Sequence, residues 1–218
     1  MASEQKSPLT QKRIVHAALA VADRDGIHSI SMRTLATALD AGTMSLYNHI
    51  RNKDELIDAM VEDIAATIER PEPGADWKQG VRQIAVSTRT VLHRHPWAVE
   101  VWSARIPGPQ RWTLMEAILD QLASAGLPDD LTDLGLHAVL NHVLGHTRQE
   151  LAAVRSNPGT HVQDLAAELD AERFPHVIDH LRYHAEDHPT HDSFLFVLDL
   201  ILDRLDGMAR RHGTGTAH

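Results

Sequence analysis

The sequence predicts an all-α protein with an N-terminal three-helix helix-turn-helix domain and a C-terminal helical bundle domain that dimerises. Apolar residues recur at helical spacing along nearly the whole chain, and no stretch of useful length alternates as a β-strand does. Aromatic residues make up only 4% of the 218 residues, which favours helix over strand. The hydrophobic fraction of 43% is sufficient for a packed core.

Four helices are predicted within the first 70 residues of the chain. The first helix follows Thr10, a good N-cap residue, and ends at Gly26. The second follows Ser31, the third covers about residues 43–49, and a fourth runs from Lys53 to about Glu69. Proline and glycine at 71–74 then interrupt the helical pattern, so we place a domain boundary there.

The boundary divides the chain into the N-terminal helix-turn-helix domain at 1–70 and the C-terminal helical domain at 71–210, followed by a tail at 211–218 that we expect to be disordered. Residues 129–155 are apolar on most faces, so we expect a central buried helix there. The last helix is predicted over Ser193–Met208. Its apolar stripe exceeds what one small domain needs, which predicts a homodimer interface with these members: Val197, Leu198, Ile201, Leu202 and Leu205.

Two short helices joined by a tight turn have the size of a helix-turn-helix motif. Leu35, Leu39 and Leu46 form the stripe that would hold the two helices together. The turn at 40–42 reads Asp-Ala-Gly, and both Asp and Gly tolerate a left-handed backbone. The outward face of the second helix is small or polar, as entry into a major groove requires.

The charge is unevenly divided along the chain. Residues 1–53 hold seven Lys and Arg against four acids, whereas the remainder holds fourteen against twenty-six, within a net charge of −9. A basic head on an acidic body is typical of a protein with one polyanion-facing end. Chance segregation in an acidic protein explains the same numbers, and charge alone does not decide between the two.

The stretch from Gly42 to Leu56, GTMSLYNHIRNKDEL, closely resembles the DNA-binding signature of tetracycline-repressor-like (TetR) transcriptional regulators. Residues 14–39 resemble the first two helices of that family. A looser similarity to its C-terminal domain continues through His93–Pro96, Leu144-Gly145 and 194–205. The resemblance implies a homodimeric regulator, a repressor that a small-molecule effector releases from a palindromic double-stranded operator.

Family roles are transferred by position as follows. The resemblance implies that base edges are contacted by Thr43, Met44, Ser45 and Asn48. It implies that phosphates are contacted by Tyr47, His49 and Lys53. The DNA backbone across the groove would be contacted by Ser31, Arg33 and Thr34. The family's magnesium-holding histidine and glutamate fall at Glu100 and Gln149, or at Glu150 if the alignment shifts by one. Since the histidine is missing, a magnesium–tetracycline effector does not fit.

Sixteen histidines suggest metal or catalytic chemistry as an alternative. His142 and His146 lie at i, i+4, as do His137 and Asn141, and such spacing can hold zinc. The chain has no cysteine, no His-Glu-x-x-His and no phosphate- or dinucleotide-binding glycine loop. We therefore expect that the chain binds neither a cofactor nor a metal and that it is not an enzyme. A helical-bundle metal protein or enzyme using the His-rich body remains the rival, and an adaptor without a ligand is a third possibility.

An effector cavity is predicted inside the C-terminal domain, with apolar walls and few polar points. Its predicted lining is Trp97, Trp102, Trp112, His137, Asn141 and His146. The acidic body disfavours an anionic ligand, so we expect a neutral or cationic, largely apolar effector. No apolar stretch is long enough to cross a bilayer and no secretion signal is visible, which favours a cytoplasmic protein without a membrane partner.

Overall fold

The computed structural model describes residues 8–156, 167–185 and 192–215. Within these ranges the chain forms ten α-helices and no strand, which confirms the predicted fold class. The helices are α1 (Gln11–Asp25), α2 (Met32–Ala38), α3 (Thr43–Tyr47), α4 (Lys53–Ala65), α5 (Trp77–Arg94), α6 (Ala98–Val101), α7 (Pro109–Ser124), α8 (Asp129–Ser156), α9 (Pro175–Ala185) and α10 (Ser193–Gly215). A 3₁₀ turn at Ile27–Ser29 links α1 to α2.

Side-chain caps set the starts of the N-terminal helices. The Thr10 hydroxyl accepts from the Arg13 amide before α1, and the Ser31 hydroxyl accepts from the Thr34 amide before α2. The Asn52 side chain does the same for the Glu55 amide before α4. These caps satisfy backbone donors that the first helical turn leaves without partners, which is why the three starts could be predicted.

Helix α4 joins the two parts of the molecule, because it packs against α1 on one side and against α7 on the other. In the C-terminal part, α8 packs against α5, α7 and α10. Leu136, Val139 and Val143 bury one face of α8, as predicted, whereas Leu134 on another face is 60% exposed. The helix is therefore central to the fold without being enclosed on all sides.

Two helix ends differ from the predictions. Helix α4 ends at Ala65 instead of Glu69, although Ile68 beyond it is still buried. Helix α10 continues to Gly215, so residues 211–215 of the predicted disordered tail are helical, and 216–218 lie outside the described residues. Repeated glycine and threonine weaken a helix but do not stop one already propagating from a buried stripe. No helix of the described chain is both long and apolar enough to span a membrane.

Candidate DNA-binding, effector and dimer sites

The turn between α2 and α3 holds these helices in a fixed relation. Asp40 takes the left-handed conformation with φ of 48°, and the Ala41 amide donates to the Ala36 carbonyl at 2.9 Å. Leu35 and Leu46 are fully buried beneath the turn. The carboxylate side chain makes Asp one of the few non-glycine residues that accept this backbone, so the predicted turn forms without glycine at that position.

The outer surface of this motif carries the residues predicted to contact DNA. Met44 is 76% exposed and Tyr47 is 43% exposed, while Leu46 between them points into the core. Thr43 is half-buried. The other predicted contacts are exposed: Ser31, Arg33, Thr34, Ser45, Asn48, His49 and Lys53. All ten lie on α2, on α3, at the start of α4 or directly beside one of these helices.

Some of these side chains already have partners. The hydroxyls of Ser31 and Thr34 lie 2.7 Å apart, and Ser31 also caps α2. Ahead of α4, the Glu55 carboxylate accepts from the Arg51 amide at 2.8 Å and from the Arg51 guanidinium at 3.1 Å. The backbone and side-chain hydrogen bonds from Arg51 lower the pKa of Glu55. Together with the cap from Asn52 to the Glu55 amide, these bonds fix the backbone on which Lys53 is carried.

Helix α4 is tied to the C-terminal domain through the Glu62 carboxylate. It accepts from the backbone amides of Gly108 and Gln110 at 3.1 and 2.6 Å, and from the Arg111 guanidinium at 2.8 Å. Burial opposes ionisation of Glu62, but the hydrogen bonds from Arg111 and from the two amides outweigh it and lower its pKa. A carboxylate of α4 therefore caps the start of α7, where the helix dipole also favours an anion.

Arg111 also organises the loop between α6 and α7. Its side chain is 4% exposed. It donates to the carbonyls of Trp102, Arg105 and Ile106 at 3.0, 3.2 and 2.6 Å. No sequence pattern singled out Arg111, since an arginine on a helix is usually solvated. The nearest signal was the Gly-Pro pair before it, which marks a helix start but not a buried charge.

The predicted effector cavity does not form as expected. Trp97 is buried and donates its ring nitrogen hydrogen to Asp23 of α1 at 2.7 Å, so it packs at the junction between the two domains. Trp102 is buried near Arg111, while Trp112 is 54% exposed on α7. His137 and Asn141 also face outward from α8. Helical periodicity in the sequence shows on which side of its own helix a residue lies, but it does not show which neighbouring helix that side meets.

His146 belongs instead to a polar cluster between α5, α8 and the start of α10. The Glu150 carboxylate binds Arg89, lies 2.8 Å from His93 and lies 3.4 Å from His146. Burial raises the pKa of Glu150, but hydrogen bonds from Arg89 and His93 outweigh it and keep that pKa below its ordinary value. Sequence reasoning missed Arg89 and His93, because their partner lies about 60 positions away along the chain.

His142 is stacked on the Phe194 ring, with the centroids 4.9 Å apart, and donates to the Phe194 carbonyl at 2.9 Å. Burial lowers the pKa of His142, which favours the neutral ring. His142 and His146 therefore have protein partners rather than an arrangement of metal ligands. No group of three or more His or acidic residues in the described part of the chain has the geometry to hold a metal ion.

Two adjoining clefts lie beside α6. The first, of about 350 Å³, is lined by Pro96, Val99, Glu100, Arg148, Leu151 and Ala152. The second, of about 250 Å³, is lined by Ala22, Asp23, Arg24, Gly26, Pro96, Trp97, Glu100 and Leu151. Because they share Pro96, Glu100 and Leu151, they form one groove from α8 to the end of α1. Of the predicted cavity residues, only Trp97 lines this groove.

An apolar face lies open between α8 and α10. A cleft of about 400 Å³ is lined by Leu131, Leu134, Ala138, Val197, Leu200, Ile201, Arg204, Leu205 and Met208. Three of the predicted dimer residues, Val197, Ile201 and Leu205, belong to it. Leu198 and Leu202 do not, because both are buried in the core of their own protomer. Part of the apolar stripe of α10 therefore belongs to the core, and the rest lines the open face.

An all-α chain with an exposed helix-turn-helix and a separate helical body defines a DNA-binding regulator, and comparison with known proteins identifies its family. Residues 70–211 match the family model of the tetracyclin repressor-like C-terminal domain, and 14–60 match that of bacterial regulatory proteins of the tetR family. The chain belongs to the TetR family, which confirms the resemblance seen in the sequence.

Relatives and solved structures agree with this assignment. The HTH-type transcriptional repressor DrrR1 of Streptomyces coeruleorubidus is 33% identical over 95% of this chain and 82% of DrrR1. Apo ActR of Streptomyces coelicolor superimposes with a TM-score of 0.80 at 30% identity, covering 94% of this chain and 99% of ActR. ActR in complex with actinorhodin gives 0.78 at 30% identity, covering 93% and 99%.

Proposed function

We propose that this regulator binds a palindromic operator through α3 and is released when a small molecule binds its C-terminal domain. The observation that carries the proposal is the exposed, small or polar surface of α3, held at a fixed angle to α2 by Leu35 and Leu46. In this arrangement Ser45 and Asn48 read base edges. Tyr47 contributes a hydroxyl to phosphate, while its half-exposed ring closes the small core.

Operator binding is tested with a duplex selected from a random pool, using fluorescence anisotropy at several salt concentrations. Lys53→Ala and Tyr47→Ala should weaken binding to all sequences, and Lys53→Ala should reduce the salt slope by about 1. Asn48→Ala should change base preference. The matched control is Arg182→Ala, which removes an exposed cation from α9. Unchanged affinity and slope in both the Lys53 and Tyr47 variants would contradict this placement of the DNA surface.

The apolar face between α8 and α10 is the proposed homodimer interface. Leu134 and Leu200 are 60% and 54% exposed in the single chain, and Leu131 and Ile201 lie beside them. A second copy related by a two-fold axis would cover the same face on both chains, and would place two recognition helices for two half-sites. Asn141 lies two helical turns beyond Leu134 on α8, which places it on this side of the helix.

Sedimentation velocity at micromolar concentration tests the interface. We expect a dimer for the unmodified chain and a monomer for Leu134→Glu, because a charge would be buried against the partner's apolar residues. Val177→Glu is the matched control, since Val177 is also exposed but lies on α9. A monomer for the unmodified chain, or a dimer for Leu134→Glu, would contradict the proposed interface.

The groove beside α6 is the proposed effector site. Its lining is mixed: Pro96, Val99 and Leu151 are apolar, and the Glu100 carboxylate lies where the two clefts meet. The other charged residues of the lining are Asp23, Arg24 and Arg148. This lining suits a molecule with an apolar part and polar groups, and we expect it to be neutral or cationic because of Glu100 and Asp23. A ligand seated there touches α6, whose far end leads into the loop that Arg111 ties to α4. The solved complex of ActR with actinorhodin, a protein similar to this chain over 93% of its length, supports a small-molecule effector for this chain.

Actinorhodin and a panel of neutral and cationic aromatic compounds serve as probes, scored by thermal shift and by operator release. Ala152→Trp should fill the groove and abolish both responses while operator binding is kept. The matched control is Ala153→Trp, which adds the same ring to the next residue of α8, outside the groove lining. Equal responses in the two variants would place the effector elsewhere.

We propose no catalytic role for the chain. The alternative hypothesis of a metal protein or enzyme relied on the histidines. However, His142 is hydrogen-bonded to the Phe194 carbonyl and His146 is paired with Glu150. Family membership and the names of the relatives point to regulators of transcription. Because such a regulator acts where the DNA is, we propose the cytoplasm as its location.

A further inference from the structure

The start of α4 carries two carboxylates on the side of the molecule that meets DNA. Asp54 directly follows Lys53, the proposed phosphate contact, and its side chain is 82% exposed. Asp58 lies one helical turn further and is about half exposed. Both are negative groups near a polyanion, so by themselves they would oppose operator binding.

One arginine of the C-terminal domain pairs with both carboxylates and offsets one of their two negative charges. Arg105, in the loop after α6, donates to the Asp54 carboxylate at 2.8 Å, to the Asp54 carbonyl at 3.1 Å and to the Asp58 carboxylate at 2.7 Å. Its side chain is only 17% exposed. Burial opposes the charged form, but the bonds to Asp54 and Asp58 outweigh burial and raise the pKa of Arg105. The guanidinium is thus a fixed positive charge.

The position of Arg105 depends on the body as well as on α4. Its own carbonyl accepts from the Arg111 guanidinium at 3.2 Å, and the carbonyls of Trp102 and Ile106 accept from the same group at 3.0 and 2.6 Å. Arg111 belongs to α7 and also bonds Glu62 of α4. The charge beside the two aspartates is therefore supplied by a loop that a residue of the C-terminal domain helps to hold in shape.

We propose that Arg105 is a determinant of operator affinity, because its positive charge offsets part of the negative charge of Asp54 and Asp58. The inference rests on the proposed DNA-binding function and assigns a role in it to a residue outside the DNA-binding domain. A state of the body that withdraws the loop leaves two bare carboxylates beside the operator phosphates. Withdrawal of the loop then weakens operator binding through the loss of one compensating charge, without any rearrangement of α3 itself.

The test is operator affinity by fluorescence anisotropy at 50 and 500 mM NaCl. Arg105→Met removes one positive charge, and one charge at roughly 10 Å from two or three phosphates, screened by solvent, corresponds to about a twofold to fivefold loss at the lower salt. At the higher salt the loss should nearly vanish. The triple variant Arg105→Met, Asp54→Asn, Asp58→Asn should recover at least the affinity of the unmodified chain, because the carboxamides carry no charge.

Arg105→Lys separates charge from geometry. Lysine keeps the positive charge but lacks the planar fork that reaches two carboxylates at once, so it should retain most of the affinity if charge is the cause. Arg182→Met is the control for removing an exposed cation elsewhere. Circular dichroism melting of every variant checks that each is folded at the assay temperature.

Three results would overturn the inference: an Arg105→Met affinity equal to that of the unmodified chain, a loss that the triple variant does not reverse, or a loss that is equal at both salt concentrations. The last two would mean that Arg105 only holds the loop in shape. Failure of the unmodified chain to bind any duplex would instead contradict the proposed function, so the two failures are distinguishable.

Discussion

Removing Arg111 should destabilise the protein more than removing any exposed arginine. Its guanidinium is nearly enclosed and bonds the Glu62 carboxylate, itself 17% exposed, together with three loop carbonyls. Arg111→Met leaves those carbonyls without this donor and Glu62 without its countercharge. Breaking a buried ion pair from one side costs about 3–5 kcal/mol. For a chain of this length that corresponds to a fall in Tm of roughly 6–20 °C.

Differential scanning calorimetry and urea unfolding measure the effect. Glu62→Gln should cost less than Arg111→Met, because its single amide oxygen still accepts from one of the two backbone amides, Gly108 or Gln110, and Arg111 keeps its three loop carbonyls. Arg24→Ala is the control: Arg24 also pairs with a carboxylate, but on the open surface, and its loss should leave Tm unchanged. A Tm for Arg111→Met equal to that of the control would refute the reasoning from burial.

Three further predictions concern stability. The pKa values of Glu62 and Glu150 are lowered in the folded chain. Their contribution to the free energy of unfolding is therefore present above the ordinary carboxyl pKa and is lost as the pH falls through the lowered values. The urea midpoint should drop between pH 7 and pH 3. Leu198→Ala should cost about 2–5 kcal/mol in urea unfolding but leave a dimer in sedimentation, unlike Leu134→Glu. Gly126→Ala should cost about 1 kcal/mol in urea unfolding from backbone strain alone, since φ is 75° and no atom lies within 4 Å of an added Cβ.

The helices and the DNA-binding motif were predictable because their determinants are local. Thr10, Ser31 and Asn52 each act within three residues of themselves, and an apolar period of 3.6 reports which side of a helix is buried. Asp40 could likewise be accepted in the turn from its own backbone preference. These are short-range effects, which a single sequence displays in full.

The interior of the C-terminal domain was less predictable because its determinants are distant in the sequence. Trp97 was assigned to a ligand cavity and does line the groove beside α6, but the sequence did not predict that its ring nitrogen donates to Asp23, 74 positions earlier. Leu198 and Val197 are adjacent and equally apolar, and only the position of α8 decides that one is core and the other part of an open face. Periodicity identifies an apolar surface but does not say which neighbour covers it.

The acids of α4 show how a pattern visible in the sequence acquires its function from the fold. Asp54, Asp58 and Glu62 are spaced i, i+4, i+8, which aligns them along one side of the helix over about 12 Å. By itself this is an ordinary solvated stripe. In the structure two arginines of the body, Arg105 and Arg111, bind its two ends, and the backbone of the loop between them bonds Arg111. Helix α4 is therefore held over two turns by one loop, so a ligand that moves this loop acts at once on the position and on the charge of the DNA-binding surface.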